Sequence, residues 1–278
     1  MSDKRKRKAE VMGIVNLTDD SFFEGSRFLG KDGSLNLDTL LERIDSMISE
    51  GAAIIDLGAC STRPGSDSVP EEEEWRRLYL ALTLLASERP GIHLSIDTFR
   101  PGIVSRAFDI VGSFIVNDVS GGTPSMWNLV GELGLEYVAM HTRGTPKNMQ
   151  SLTDYDDVTV AVREFFSVFS EKADLYGVKD WILDPGFGFA KTVEQNWQLL
   201  REMSVLKDFG RPVLAGLSRK SFLYKPLGIT PGEALPATCA ANLIALQNGA
   251  DILRVHDVSA ACQVIDVFGI SYRPGTFR

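Results

Sequence analysis

A polar or charged residue recurs at or just past the end of one short apolar run after another: Asn16, Asp56, Asp97, Asn117, His141, Asp184, the Ser218-Arg219-Lys220 triplet and His256. By type they divide, with their neighbours, into acceptors (Asp97, Asn117, Asp184), cations (Arg63, Arg219, Lys220, Arg254) and a further polar pair, Asn16 and His256. That division implies a ligand with two chemically different ends. A planar heterocycle with adjacent ring N–H and amino donors suits the carboxylate acceptors, while a phosphate or diphosphate suits Arg, His and backbone N–H groups near helix starts. Arg254 and His256 lie two residues apart, so on a strand they share a face. A lone Asp at a strand end serves equally well as a helix N-cap. The repetition carries the functional reading.

Two loops add to this set. Gly58-Ala59-Cys60-Ser61-Thr62-Arg63-Pro64-Gly65 gathers small and hydroxyl residues around one Arg, a composition suited to a mobile anion-binding loop. Asp184-Pro185-Gly186-Phe187-Gly188-Phe189 carries two glycines that permit close backbone approach. The sequence holds no H-E-x-x-H, Walker loop or convincing dinucleotide fingerprint, which argues against zinc hydrolysis and P-loop nucleotide binding.

Residues so far apart need a scaffold that gathers strand ends. Short apolar strands are expected at residues 12–16, 54–57, 93–97, 114–117, 137–140, 181–184, 213–216 and 252–255, with helical segments between them. The first helix shows a stripe of Leu37, Leu40, Leu41, Ile44, Met47 and Ile48, closed by Gly51. Ser68 and Glu71 have capping-box spacing ahead of a second helix with Trp75, Leu78, Leu82 and Leu85. The last helix is expected over residues 260–268. Eight βα units without a linker favour an α/β fold with a single (β/α)8 TIM barrel at residues 11–278, after a basic, mobile tail at residues 1–10 that includes Lys4 to Lys8 and is given no role. A doubly wound open sheet has the same alternation and is the competing architecture. The barrel is preferred because its C-terminal rim would bring the polar strand ends to one pocket.

Composition narrows the partners. The 278 residues are 44% hydrophobic and 24% charged, which excludes disorder, collagen and coiled coil. Twenty-nine Lys and Arg against 37 Asp and Glu give a net charge of -8, so neither nucleic acid nor an anionic membrane is an expected partner. Cys60, Cys239 and Cys262 are scattered, as in a reducing compartment. No apolar run reaches the roughly 18 residues that span a bilayer, and the N-terminus lacks the apolar core of a secretory signal. A cytoplasmic location is expected.

In chain order, Met12-Gly13-Ile14-Val15-Asn16-Leu17-Thr18, Ser61-Thr62-Arg63-Pro64-Gly65, Ser95-Ile96-Asp97-Thr98, Asn117-Asp118-Val119-Ser120, Leu183-Asp184-Pro185-Gly186-Phe187-Gly188-Phe189, Ser218-Arg219-Lys220-Ser221 and Arg254-Val255-His256-Asp257 form a specific series. With these motifs the chain resembles the dihydropteroate synthase family of pterin-binding barrels, from about Val11 to the last helix. The resemblance implies a folate-biosynthesis transferase. Such an enzyme condenses 6-hydroxymethyl-7,8-dihydropterin diphosphate with 4-aminobenzoate, giving 7,8-dihydropteroate and pyrophosphate with Mg2+ as cofactor.

By match of motif, Asp97, Asn117, Asp184 and Lys220 hold the pterin, and Asn16, Thr62, Arg63, Arg254 and His256 serve the pyrophosphate, with Asn16 also the metal ligand. Thr62, Pro64, Phe189, Lys220 and Ser221 border the 4-aminobenzoate pocket, and Asp97, Asp184, Lys220, Arg254 and His256 form the catalytic set. The resemblance further implies C–O cleavage ahead of amine attack, a homodimer, and sulfonamides that compete with 4-aminobenzoate. The delocalised pterin cation left by that cleavage is what Asp97 and Asp184 would stabilise.

The chain departs from the family at Asp19 (commonly Pro), at Ala59-Cys60 (commonly Gly-Glu) and at Ala190 (frequently Gly). These departures bear on loop behaviour and affinity rather than on the reaction. A methyltetrahydrofolate-using methyltransferase would share the pterin acceptors but has no use for Arg63, Arg254 and His256. A catalytically silent pterin-binding protein would bind without releasing pyrophosphate.

Overall fold

A computed structural model describes residues 9–18, 35–60 and 69–271. Strands and helices alternate: β1 (Glu10–Asn16), α1 (Leu37–Glu50), β2 (Ile54–Gly58), α2 (Glu71–Glu88), β3 (Leu94–Asp97), α3 (Pro101–Val111), β4 (Ile115–Asp118) and α4 (Pro124–Leu133). The second half continues with β5 (Glu136–Met140), α5 (Val158–Tyr176), β6 (Trp181–Asp184), α6 (Val193–Glu202), β7 (Leu214–Ala215), α7 (Ser221–Tyr224), α8 (Leu235–Gln247), β8 (Ile252–Val255) and α9 (Val258–Ser271).

The strands are parallel and lie in the order β6-β5-β4-β3-β2-β1-β8-β7. Its two ends meet: Leu183 bridges to Val213, and the Leu183 N–H donates to the Pro212 carbonyl at 2.9 Å. The sheet is a closed ring, and the open-sheet alternative is set aside.

Period-two alternation divides each strand between two environments. Met12, Ile54, Ile115, Val138, Ile182, Leu214 and Ile252 point inward and fill the barrel as a cluster of their own. Their neighbours Val11, Ile55, Ile96, Val116, Tyr137, Leu183 and Leu253 point outward and join the apolar stripes of the helices in a larger core. Toward the C-terminal ends the inward positions above this cluster become polar, as at Asn16, Asp56, Asp97, Asn117, Asp184 and Arg254, so the apolar layer forms the floor of the site.

Several element ends differ from the sequence expectation. Glu10, placed in the tail, is the first residue of β1 and pairs with Ile252. The capping box proposed for Ser68 and Glu71 is not the start of α2: the helix begins at Glu71 with Pro70 at its N-cap, and Ser68 lies outside the described residues. Four glutamates, Glu71 to Glu74, occupy the first turn instead and meet the positive end of the helix dipole. The first helix does end at Gly51, whose φ of 108° is open to glycine and strained for other residues. The Lys4 to Lys8 run lies outside the described residues.

Candidate active site

Register assembles the centre of the site. Asn16 pairs with Gly58, Gly58 with Asp97, and Asp97 with Asn117, so these four residues of β1 to β4 stand side by side in one inward row. Gly58 leaves a gap in that row. A Cβ built there would lie 3.4 Å from the Asp97 Cβ and 3.6 Å from the Asn16 carboxamide oxygen. Across the ring, Asp184 ends β6 beside Met140. Asp97, Asn117 and Asp184 are all buried. Among the described residues, Asp97 Oδ1 and Asn117 Oδ1 are buried acceptors without a hydrogen-bond donor.

Asp56, one inward position below Gly58, sets the orientation of this row. Its carboxylate accepts from Ser95 Oγ at 2.6 Å, from Asn117 Nδ2 at 3.3 Å and from Arg254 Nε at 2.7 Å. Arg254 reaches up from β8 to bridge Asp56 and Asp97, with Nη2 at 2.6 Å and 2.7 Å from their oxygens. Burial pushes the Asp97 carboxyl well above the usual carboxylate range, with Arg254 pulling against it. For the Arg254 guanidinium, burial opposes the charge but the two aspartates outweigh it and hold the group more firmly protonated. Strand-end reasoning noted Asp56 but left it out of the ligand set. Its position between Ile54 and Gly58 on the inward face was the available signal.

Lys220 crosses from the β7–α7 turn toward the β6–α6 loop. Its ammonium donates to the Phe187 carbonyl and lies 4.8 Å from the centre of the Phe189 ring. Burial lowers its pKa to about 8 against the pull of Asp184. The Asp184 carboxyl is raised by burial, opposed chiefly by Lys220. Ser221 opens α7 next to Lys220. His256 Nδ1 lies 2.9 Å from Ser218 Oγ, which also accepts the His256 N–H at 3.3 Å. With the hydroxyl donating to Nδ1, a neutral ring carries its proton on Nε2, the donor that an oxyanion requires.

Two of the polar strand-end residues have other work. Arg219, counted among the cations, turns away at φ 55° and forms a bidentate pair with Asp257 at 2.9 Å, with further bonds to the carbonyls of Pro231 and Gly232. It joins the β7 and β8 loops rather than facing a ligand. His141 is buried beneath the β6–α6 loop with Lys191, and burial and the Lys191 charge hold its imidazole neutral, with a pKa of about 2. Ala190 sits at φ 47°. An L-residue held in that region costs roughly 1–2 kcal/mol. Thr62, Arg63, Pro64 and Asp19 lie outside the described residues.

Among the described residues, no group of three His, Cys, Asp or Glu side chains is placed to hold a metal ion. Asn16 offers one neutral carboxamide oxygen, 3.6 Å from where a Cβ on Gly58 would lie. A single donor of this kind fits a hard cation that takes most of its ligands from diphosphate and water.

A closed βα barrel whose mouth holds buried acceptors without donors among the described residues, with the Arg254 guanidinium and His256 at the end of β8, is a site for a donor-rich heterocycle carrying an anion. The profile of a family described as pterin binding enzyme matches residues 12–256, and the chain belongs to that family. Within it the similarity is to dihydropteroate synthases. That of Synechocystis is 42% identical over 272 residues, covering 96% of this chain and 91% of the relative. The crystal structure of the Yersinia pestis dihydropteroate synthase with a sulfonamide drug superposes with a TM-score of 0.88 at 35% identity, covering 95% of this chain and 94% of that one. The Thermus thermophilus enzyme in complex with 4-aminobenzoate gives 0.82 at 36% identity, covering 96% and 95%.

Proposed function

We propose that this chain is a transferase that joins 6-hydroxymethyl-7,8-dihydropterin diphosphate to 4-aminobenzoate, forming 7,8-dihydropteroate and pyrophosphate. The observation that carries the reading is the pair of buried acceptors without donors, Asp97 Oδ1 and Asn117 Oδ1, in the same inward row. A buried acceptor left unsatisfied costs about 1–3 kcal/mol, which the ring N–H and amino donors of a pterin offset. The Thermus relative's complex with 4-aminobenzoate supports the second substrate, and the Yersinia relative's sulfonamide complex supports competition at that pocket.

In this mechanism Asp97, Asn117 and Asp184 grip the pterin edge, while Lys220 closes the pocket over Phe189. Arg254 and His256 receive the diphosphate, the latter through Nε2–H. The C–O bond to the diphosphate breaks first, and the electron pair leaves with pyrophosphate. The pterin cation that remains is stabilised by the carboxylates of Asp97 and Asp184, already oriented by Arg254 and by the Gly186 N–H at 2.8 Å. The arylamine lone pair then forms the C–N bond, and the proton of the resulting ammonium passes to solvent. Asn16 would be the protein donor to a bound Mg2+, which would supply positive charge against the leaving diphosphate. A homodimer and a cytoplasmic setting belong to the same proposal. They are supported by the family resemblance and by the scattered cysteines, respectively.

The direct test mixes purified protein with the pterin diphosphate, Mg2+ and 4-aminobenzoate and measures both products. Stoichiometric pyrophosphate and dihydropteroate, with a sulfonamide competing against 4-aminobenzoate, are expected. Absence of both products overturns the assignment.

Proton linkage gives a second expectation. The free protein holds Asp97 and Asp184 with raised pKa values, and a pterin donating to their carboxylates favours the charged forms. Binding therefore releases protons, and pterin affinity should rise as the pH climbs from the ordinary carboxylate range toward neutrality, then level off. Calorimetry in buffers of different ionisation enthalpy reads this release. Proton uptake over that range, or affinity that falls with pH, contradicts the assigned contacts.

A further inference from the structure

Lys191 is a buried lysine with no part in the proposed catalytic set. Its Nζ lies 3.0 Å from His141 Nδ1, 2.9 Å from the Gly186 carbonyl, 3.1 Å from the Phe189 carbonyl and 3.4 Å from the His141 carbonyl. These partners belong to the end of β5 and to the β6–α6 loop, so one ammonium ties the two together. The loop is closely fitted to that strand end: a Cβ on Gly186 would fall 1.9 Å from the His141 carbonyl oxygen. It is also turned into the left-handed region at Ala190, immediately before Lys191, a conformation that an L-residue keeps only when its surroundings hold it.

What the loop carries is the pocket. Asp184 begins it and accepts the Gly186 N–H, Phe187 offers the carbonyl that holds Lys220, and Phe189 lies under the Lys220 ammonium. On its far side, Asn196 accepts the Gly188 N–H at 2.7 Å and donates to the Thr192 carbonyl at 2.6 Å, which seats the loop on α6. Lys191 is the attachment on the β5 side. A cation just ahead of Thr192, the N-cap of α6, stands where the helix dipole disfavours positive charge, so helix electrostatics do not account for it.

We propose that Lys191 is a positioning residue for the transferase reaction: from behind the pocket, its ammonium fixes the Asp184–Phe189 turn against the end of β5 and thereby sets Asp184, Lys220 and Phe189 in place for both substrates. The inference rests on the functional reading above. The charges that face Lys191 agree with a site held under electrostatic tension. Burial lowers its pKa to about 7, with Asp184 supporting its charge and Lys220 and Arg143 opposing it.

The test compares wild type, Lys191→Met and His141→Phe by steady-state kinetics for each substrate, with melting curves and calorimetric pterin stoichiometry giving the folded, competent fraction. Lys191→Met should lower kcat/KM on the order of a hundredfold, the scale of a misplaced reacting group, after correction for that fraction. Its KM for 4-aminobenzoate should rise, because the Phe189 and Lys220 wall has moved. His141→Phe keeps the ring packed and removes one acceptor, and should shift the same constants in the same direction by about fivefold. A purely structural role predicts a smaller competent fraction with unchanged KM values in both variants, and that result overturns the proposal. If Lys191→Met does not fold, unchanged KM values in His141→Phe overturn it alone. An inactive wild type instead refutes the transferase reading, which keeps the two failures apart.

Discussion

Replacing Asp184 by Asn is expected to cut kcat at least a hundredfold while leaving the fold in place. The amide oxygen still accepts the Gly186 N–H now held at 2.8 Å, so the loop keeps its first turn. What is lost is a fixed negative charge opposite a developing cation in a buried mouth, and such preorganised terms are worth on the order of 3 kcal/mol. The same substitution has a second signature. Lys220 and Lys191 are already lowered to about 8 and about 7 by burial, and the Asp184 carboxylate pulls both back up. Without its charge both lysines lose protons at lower pH, so the basic limb of the rate profile should move down. Circular dichroism, steady-state turnover and a pH series check all three parts. Near wild-type turnover removes Asp184 from cation stabilisation, and an unmoved basic limb removes its coupling to the lysines.

What could be read from the sequence, and what could not, follows from how local each interaction is. Strand positions were legible because apolar runs bounded by polar residues repeat at regular intervals, and the Gly51 helix end was legible because a left-handed residue closes a stripe. The Asp97 and Asn117 row was legible too, since a parallel barrel aligns strand ends by construction. Direction within a turn was not. Arg219 and Lys220 are adjacent and equally charged, yet a positive φ at Arg219 sends one toward Asp257 and the other over Phe189.

Long-range pairing was equally hidden. Asp56 and Arg254 are separated by 198 positions, and the pairing of β1 with both β2 and β8 brings them to 2.7 Å. His141 looked like a rim residue because it follows a strand. In the fold that position is covered by the β6–α6 loop, whose fit depends on Gly186 having no side chain.

Removing Arg254 is expected to damage the fold and the anion site together, and the two effects can be separated. Arg254 is the cation between Asp56 and Asp97, so Arg254→Ala leaves two buried carboxylates without their counter-charge. Breaking a buried pair in this way costs about 3–5 kcal/mol. Protonation relieves uncompensated carboxylate charge, so the loss of stability relative to wild type should shrink as pH falls and grow as it rises. Adding Asp56→Asn to Arg254→Ala should restore part of the loss, because one of the two stranded charges is gone. Denaturant titrations of the two single variants and the double variant measure that coupling. No recovery in the double variant means that the pair does not act as a unit. For ligands the informative quantity is a ratio. Pterin itself should bind less well once Asp97 loses its partner, but the pterin diphosphate should lose more, since it also loses the guanidinium that meets its charge. Calorimetry on folded Arg254→Ala with both ligands decides the matter: a larger loss for the diphosphate places Arg254 in the anion site, and equal losses confine it to holding Asp97.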